Sequence, residues 1–154
     1  MELTREFLEN MLHVVPGNVV IYRAVEGRLD TLYFSEGIPA LSGMKRDEYM
    51  DYIQADALQI VIDVDWPLVV QGMEKVLYHG ENGDIVYRIF HKARCYVWIH
   101  ANARVMGRFE GAPVVLCTFL ATTLETSVQM DLLDHSNNYI YVVEDGTWEV
   151  LYAI

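Results

Sequence analysis

The chain has 154 residues, of which 53% are hydrophobic, and its formal net charge is −11, from 22 acidic and 11 basic residues. This composition is typical of a folded globular domain and excludes a disordered chain, and the negative charge argues against direct binding to nucleic acid. No basic region followed by a long apolar run begins the sequence, so it predicts no signal peptide, no membrane contact and a cytoplasmic location.

The first predicted elements are a helix and a β-hairpin. Apolar residues recur at helical spacing from Leu3 to Val15, and Pro16-Gly17 ends the helix. Two β-rich runs follow, at residues 19–24 and 29–34, and the short segment between them contains a glycine. This pattern predicts two antiparallel strands.

A helical region is predicted in the middle of the chain. Glycines and prolines divide residues 35–64 into short helices, one of them at Arg46–Ile53. Asp65 is expected to cap the next helix with its side chain. That helix carries one apolar stripe and ends near His79-Gly80; the stripe consists of Val69, Val70, Met73, Val76 and Leu77.

Three further strands are predicted at residues 85–91, 96–106 and 113–122, with Gly107 and Gly111 in the turn before the last. Residues 96–105 alternate, with Trp98 and its polar neighbours on one face and Ile99 and its apolar neighbours on the other. The order of elements predicts an α+β fold, in which a five-stranded antiparallel sheet carries helices on one face and an N-terminal helix caps the domain.

The start of this pattern is repeated near the end of the chain. Ile21-Tyr22 matches Ile140-Tyr141, Gly27 matches Gly146, and Leu32-Tyr33 matches Leu151-Tyr152, all at an offset of 119 positions (140 − 21). A fixed offset indicates a repeated unit, although two hairpins can also resemble each other by chance. We therefore divide the chain into a capping helix (1–16), a domain (17–123), a linker helix (124–136) and the truncated start of a second, similar domain (137–154).

The residues of three stretches resemble the PAS family, in particular its subgroup with a Tyr-Arg pair followed by a Trp. Tyr87-Arg88 and Trp98 give the most specific match. The stretch from Leu32 to Met44 resembles the strand that leads into the first short PAS helix, and Ala121-Thr122-Thr123 stands where many PAS domains end in Asp-Ile-Thr. Ala121 departs from that triplet.

The resemblance implies a sensory and dimerisation module of a bacterial signal-transduction protein. Such domains occur in tandem before a diguanylate cyclase, a phosphodiesterase or the histidine kinase of a two-component system. It implies a homodimer, adjacent domains and a small-molecule ligand as partners. The sequence contains no Gly-rich phosphate loop, no nucleophilic serine motif and no zinc motif, so we expect no enzymatic activity in this chain. Two alternatives stay open: a cavity-containing enzyme of the ketosteroid isomerase type, and a structural spacer without ligand.

Two groups of candidate site residues follow from the predicted sheet. A ligand pocket between sheet and helices is expected to be lined by Tyr33, Tyr52, Trp66, Val97, Ile99 and Cys117, unless these residues simply fill the core. An aromatic outer face is expected to stack Arg88 on Trp98 and to be covered by the N-terminal helix or a second copy. Its candidates are Phe7, Met11, Arg88, Tyr96, Trp98 and His100, and Leu8 is expected to contact the face as well.

The sequence does not identify a cofactor. His79 ends a helix beside Gly80, where it is expected to act as a cap rather than to bind haem. No motif for covalent flavin attachment is present, and both Cys95 and Cys117 are expected to be core thiols. His91 and His100 are expected to be surface neighbours across two strands, and no metal site is predicted.

Overall fold

The computed structural model describes residues 1–122 in full, together with the backbone of Tyr141–Val143 and Val150–Ala153. The chain divides into two compact units, Met1–Ala121 and Thr122–Ile154. The predicted linker helix 124–136 lies outside the described residues, as do the hairpin residues Tyr139, Ile140 and Trp148.

The first unit alternates short helical segments with strands in the predicted order. Two 3₁₀ turns, Ala57–Ile60 and Asp63–Asp65, precede the longest helix. The remaining elements are α1 (Arg5–Val14), β1 (Asn18–Val25), β2 (Arg28–Phe34), α2 (Ile38–Leu41), α3 (Arg46–Ile53), α4 (Trp66–His79), β3 (Gly83–His91), β4 (Cys95–Phe109) and β5 (Ala112–Thr122).

The five strands form one sheet in the order β2-β1-β5-β4-β3. The pairs β1–β2, β1–β5 and β3–β4 are antiparallel. The helices α2, α3 and α4 lie in the chain between β2 and β3, rather than forming a layer before the first strand. The predicted fold class is therefore confirmed, and this order differs from the one that an isomerase-type cone requires.

Both edges of the sheet are partly closed by an aspartate. On the β2 edge, Asp56 Oδ1 accepts a hydrogen bond from the backbone N–H of Leu29 (3.1 Å). On the β3 edge, Asp65 Oδ2 accepts one from the backbone N–H of Arg88 (2.8 Å). Unpaired backbone groups on an edge strand can pair with strands of other molecules, and these two carboxylates each occupy one such group. They also attach residues 56–65 to both edges of the sheet.

Apolar residues pack on both faces of the sheet. On β1, Val20 and Tyr22 point towards α3 and α4, whereas Val19 and Ile21 point towards α1. This alternation follows from the two-residue period of a strand. Thr4 begins α1, since its side chain accepts a hydrogen bond from the backbone N–H of Phe7. The molecule thus has a main core under the helices and a second core under α1.

The turn between β4 and β5 differs from the sequence prediction. The turn is formed by Glu110-Gly111, whereas Gly107 lies inside β4. A Cβ atom on Gly107 would lie 2.7 Å from the carbonyl oxygen of Met1. Residues 1–3 pair with Arg108 through two backbone hydrogen bonds, so this glycine permits the close approach of the N-terminus rather than a turn.

The two described strands of the second unit, β6 (Tyr141–Val143) and β7 (Val150–Ala153), pair antiparallel. The repeat predicts a hairpin at this place in the chain. The pairing shifts register between Val142 and Val143, much as the β1–β2 pairing does between Ile21 and Tyr22. The assignment of this hairpin to a second domain remains a prediction.

Candidate functional site: an internal cavity and an aromatic outer patch

A cavity of about 70 Å³ lies in the main core, between the sheet and the helices. Its wall is apolar apart from three tyrosines and one cysteine, which come from four different elements: Tyr22 on β1, Tyr49 on α3, Tyr87 on β3 and Cys117 on β5. A cavity of this size holds more than one water molecule, which needs about 10–15 Å³. The core is therefore not completely filled.

Burial keeps the polar groups of this cavity uncharged. It raises the pKa of the Cys117 thiol to about 12 and raises the pKa values of Tyr49 and Tyr87 above their ordinary range. The pKa of Tyr22 is raised for the same reason, and its three polar neighbours add to the effect. A buried charge without a partner is costly, so the cavity favours neutral molecules.

Two of the six predicted pocket residues, Ile99 and Cys117, line the cavity. Tyr33 does not, because it lies on the opposite face and packs in the core under α1. The reason is a β-bulge: Ile21 pairs with Tyr33 and Tyr22 with Thr31, which leaves Leu32 unpaired. One extra residue reverses the side-chain alternation beyond it, so strict alternation from Leu29 assigns Tyr33 to the wrong face.

The remaining three predicted pocket residues surround the main core without lining the cavity. Tyr52 stacks on Phe90, with ring centroids 5.4 Å apart. Trp66 donates a hydrogen bond from its indole nitrogen to the carbonyl oxygen of Val61 (3.0 Å). Val97 packs against the same core from β4. Conversely, three tyrosines that line the cavity, Tyr22, Tyr49 and Tyr87, were not predicted. The alternation of apolar residues in β1 and β3 does place Tyr22 and Tyr87 on the inner face of the sheet.

An aromatic patch lies on the outer face of β3 and β4. The Arg88 guanidinium carbon is 5.2 Å from the ring centroid of Trp98 and 5.4 Å from that of Tyr96, as the predicted cation–π stacking requires. Tyr96 and Trp98 meet edge to face, and Tyr96 is 44% exposed. Nearby, His100 Nε2 forms a hydrogen bond with the carboxylate of Asp84. We call Arg88, Tyr96, Trp98 and His100 the outer patch.

The orientation of Arg88 is fixed by Asp65, a contact that the sequence did not predict. Arg88 donates from Nε (2.9 Å) and Nη2 (2.7 Å) to the two carboxylate oxygens of Asp65. Asp65 precedes α4, yet its side chain makes no capping hydrogen bond to that helix. The prediction that Asp65 caps the helix with its side chain is therefore wrong. Its carboxylate accepts hydrogen bonds from the backbone and the side chain of Arg88 instead, and so links the start of α4 to the outer patch.

The N-terminal helix covers a different part of the outer face from the one predicted. Leu8 is 1% exposed and packs with residues of β1 and β5, and Met11 adds to the same core. Phe7 is 40% exposed and does not belong to this core. Helix α1 thus lies over β1, β2 and β5, and the outer patch belongs to neither core.

The two cysteines have different environments. Cys117 is buried as expected, whereas Cys95 is exposed and lies at the tight β3–β4 turn with a positive φ of 67°. His91 stabilises this turn, since its Nδ1 accepts hydrogen bonds from the backbone N–H groups of Ala93 and Arg94 (both 3.1 Å). The prediction that both thiols lie in the core is therefore wrong for Cys95.

This difference predicts selective thiol chemistry. A disulfide-exchange reagent at neutral pH should modify one thiol per native chain, Cys95, because burial and the raised pKa of Cys117 suppress thiolate formation there. Denaturant should release the second thiol. The matched variants Cys95→Ser and Cys117→Ser should give zero and one reactive thiol in the native state, and two reactive thiols in native wild type would contradict the assignment.

The described histidines lie apart from one another. His91 is paired with Cys95 and His100 with Val86, so the two histidines are not cross-strand neighbours as predicted. His79 is exposed at the end of α4, where Gly80 takes the left-handed conformation of a helix cap. Among the described residues, no group of three or more His, Cys, Asp or Glu side chains could hold a metal ion, and no helix is long and apolar enough to cross a membrane.

Comparison with known families agrees with this architecture. Residues 31–118, more than half of the chain, match the family described as PAS fold. The chain therefore belongs to the PAS-fold family. No curated protein matches its sequence significantly.

Similar solved structures are distant in sequence. A light-oxygen-voltage domain studied with a flavin analogue is 18% identical at a TM-score of 0.62, and 85% of this chain and 96% of that one are covered. A sensory box histidine kinase/response regulator from Burkholderia thailandensis is 14% identical at a TM-score of 0.56, with 84% and 93% covered. The Rhodobacter sphaeroides LOV protein is 9% identical at a TM-score of 0.63, with 87% and 77% covered. These likenesses support the fold.

The residues of the cavity do not fit a flavin. The cavity of about 70 Å³ is smaller than the ~150 Å³ that accommodates a benzene ring in a protein core, and a flavin has three fused rings. Neither cysteine lies on a helix: Cys95 begins β4 and Cys117 lies within β5. The cavity alone is therefore too small for the three fused rings of a flavin.

Proposed function

We propose that this chain is a sensory and dimerisation module of a bacterial multidomain signalling protein. The PAS-fold family and the resemblance to a sensory box histidine kinase/response regulator support this role. The module would precede an output domain, either a diguanylate cyclase or phosphodiesterase or the histidine kinase of a two-component system. We assign it to the cytoplasm and assign no catalytic step to the chain itself.

The observation that carries this proposal is the internal cavity. A structural spacer that binds no ligand would be expected to have a completely filled core. In this chain the core contains a cavity that is lined in part by three tyrosines and a thiol. The residues that line the cavity come from α3, α4 and all five strands of the sheet, among other segments. A molecule that enters the cavity would therefore change how these helices pack on the sheet.

The change would reach the next domain along two routes. Asp65 connects the start of α4 to Arg88 in the outer patch, so a movement of α4 would alter that patch. β5 lines the cavity through Cys117 and Phe119 and leads directly to the predicted linker helix 124–136. We propose that this linker passes the signal onward.

Native mass spectrometry of the purified chain tests the sensory part of this proposal. A small molecule that is retained under gentle conditions and lost on denaturation would support a sensor and identify its ligand. As a matched control, Ala101→Ile should lose that mass, because Ala101 lines the cavity from β4 and the larger side chain would fill it. If the measured mass is that of the chain without any bound molecule, and stays so after incubation with cell extract, the sensory role is contradicted.

We further propose that the outer patch contacts a second copy of the chain. The patch combines two aromatic rings with an arginine that is already fixed by Asp65, so little side-chain freedom is lost when it docks. Aromatic and arginine side chains are enriched at such interfaces. α1 lies beside the patch on the same side of the sheet and would contribute Phe7 to the contact.

Sedimentation of variants tests this dimer. Tyr96→Glu should shift the chain from dimer to monomer and raise the dissociation constant at least tenfold, because it places a charge among apolar contacts. Tyr78→Glu is the matched control, since Tyr78 is 79% exposed on α4, away from the patch. The docking proposal fails if wild type is monomeric at high concentration or if both variants dissociate equally.

A further inference from the structure

Three tyrosines that line the cavity make no side-chain hydrogen bond within the described residues. Tyr22, Tyr49 and Tyr87 are 8%, 4% and 8% exposed, respectively, and all three line the same cavity. Within residues 1–122, no protein group forms a hydrogen bond with any of these hydroxyls, whereas the hydroxyl of the outer-face residue Tyr33 is bonded to Glu9. Among the described residues, the fully buried side-chain atoms without a partner are Arg23 Nε and Thr31 Oγ1, so the three tyrosine hydroxyls still reach open space and are available to a bound molecule.

The hydrogen-bonding groups that line the cavity determine which kind of molecule can bind there. A neutral tyrosine hydroxyl donates one hydrogen bond, and no charged side chain lines the cavity. A carbonyl oxygen has two lone pairs and can accept from two of these hydroxyls at once. A carboxylate or an ammonium group would be buried without an opposite charge. The cavity is thus suited to a neutral hydrogen-bond acceptor.

A groove between α4 and the β1–β2 turn lies beside the cavity. Leu29, Leu58 and Met73 line both the cavity and this groove, which has a volume of about 280 Å³. Its floor continues with apolar residues of α4, Val70 and Leu77. A small movement of the shared side chains would join the cavity to the groove and let a bound molecule place an apolar tail against α4.

The rim of the groove disfavours an anion. Glu26 and Glu74 line the groove and make no ion pair within the described residues. Arg28, the one cation among the groove-lining residues, is already engaged by Asp30, with 3.0 Å from Nε to Oδ1. A tail that ends in a carboxylate would meet the carboxylates of Glu26 and Glu74 here, and like charges repel.

We propose that the cavity and the groove together bind a neutral aliphatic carbonyl compound, a ketone, aldehyde or ester. Its oxygen accepts hydrogen bonds from the tyrosine hydroxyls, and its chain passes Leu58 and Met73 into the groove. This inference rests on the proposed sensory function and adds the chemical class of the ligand to it.

Thermal unfolding of the full chain with a set of nine-carbon probes tests this class. 2-Nonanone should raise the melting temperature in a concentration-dependent manner, because a ligand that binds only the native state stabilises it. Nonanoate and nonylamine at the same concentrations should bind at least tenfold more weakly. Equal or stronger binding of either charged probe would overturn the proposed class.

Single-atom variants test the role of the hydroxyls. Tyr49→Phe and Tyr87→Phe keep the ring and remove the donor, and each should weaken 2-nonanone binding about fivefold, the value of one net hydrogen bond. Tyr33→Phe, on the opposite face, should leave the affinity unchanged. Ala101→Ile and, from a different element, Ala57→Val should reduce binding by filling the cavity. Unchanged affinity in both cavity tyrosine variants would overturn the proposed contacts.

The outcomes separate the ligand class from the sensory function. If 2-nonanone does not bind while native mass spectrometry retains another molecule that Ala101→Ile loses, the carbonyl class is wrong and the sensor stands. If neither the probes nor a retained molecule occupies the cavity, both proposals fail.

Discussion

Replacing Asp65 with asparagine should lower the free energy of unfolding by about 2–3 kcal/mol. The carboxylate of Asp65 accepts hydrogen bonds from Arg88 Nε, Nη2 and the backbone N–H. Its side chain is 12% exposed and that of Arg88 25%, so water replaces these contacts poorly. An asparagine would present an N–H group to the arginine and leave its charge without a partner. Urea denaturation measures the change.

The same variant should change the response to acid. Arg88 holds the pKa of Asp65 below its ordinary value, chiefly through the side-chain hydrogen bond. A carboxylate with a lowered pKa in the folded state stabilises the protein above its unfolded pKa, about 3.9, and loses this effect as the pH falls through the folded value. The difference between wild type and Asp65→Asn should therefore be constant near neutral pH and shrink below pH ~4.

Asp63 provides the control for both measurements. It lies two residues earlier in the same 3₁₀ turn, it is exposed, and it makes no hydrogen bond or ion pair within the described residues. Asp63→Asn should change the stability by no more than about 0.5 kcal/mol. Equal effects of the two substitutions would show that the Asp65–Arg88 pair does not stabilise the fold.

A second large loss of stability is expected from a substitution in the core between α1 and the sheet. Leu8→Ala should cost about 2–5 kcal/mol, because Leu8 is 1% exposed and fills the space between α1 and strands β1 and β5. Such a loss would show that α1 is an integral part of the domain. It can be measured by thermal or urea unfolding of the full chain.

Val14→Ala is the matched control for this truncation. Val14 ends the same helix and is 75% exposed, so its loss should change stability by about 0.5 kcal/mol at most. If Leu8→Ala were as mild as Val14→Ala, α1 would not pack on the sheet as described.

The elements of the fold could be predicted because their periodicity is strong. The helix Arg46–Ile53 agrees in both bounds, and the apolar stripe of α4 faces the main core, where Val69 and Val76 are buried. The alternation in β4 likewise places Ile99 inward and Trp98 outward. Local pattern determines these features, so no tertiary information was needed.

Other features depend on contacts between distant residues. The bulge at Leu32 places the side chain of Tyr33 on the opposite face of the sheet. The bulge results from the pairing of β2 with β1, which the sequence of β2 alone does not reveal. Asp65 has the position of a helix cap, but Arg88, 23 residues later, competes for its carboxylate. Cys95 resembles a strand residue, yet the short turn forces it to the surface.

The cavity itself could be predicted only in part. Ile99 and Cys117 follow from strand alternation, and Tyr22 shares the inward phase of Val20. Tyr49, however, comes from α3, whose weakly amphipathic sequence does not show which side chain reaches the sheet. The space beside the three tyrosines results from how the helices pack on the five strands, which the sequence of a single element does not show.

The central claim is that occupation of the cavity is transmitted to the flanking segments, and amide hydrogen exchange of the full chain tests it most directly. We would compare wild type with Ala101→Ile, in which the added side chain acts as a permanent occupant. The account predicts altered exchange at α4, at the outer patch and in peptides from residues 124–136. Changes confined to the strand around Ala101, with the other segments unaffected, would contradict it.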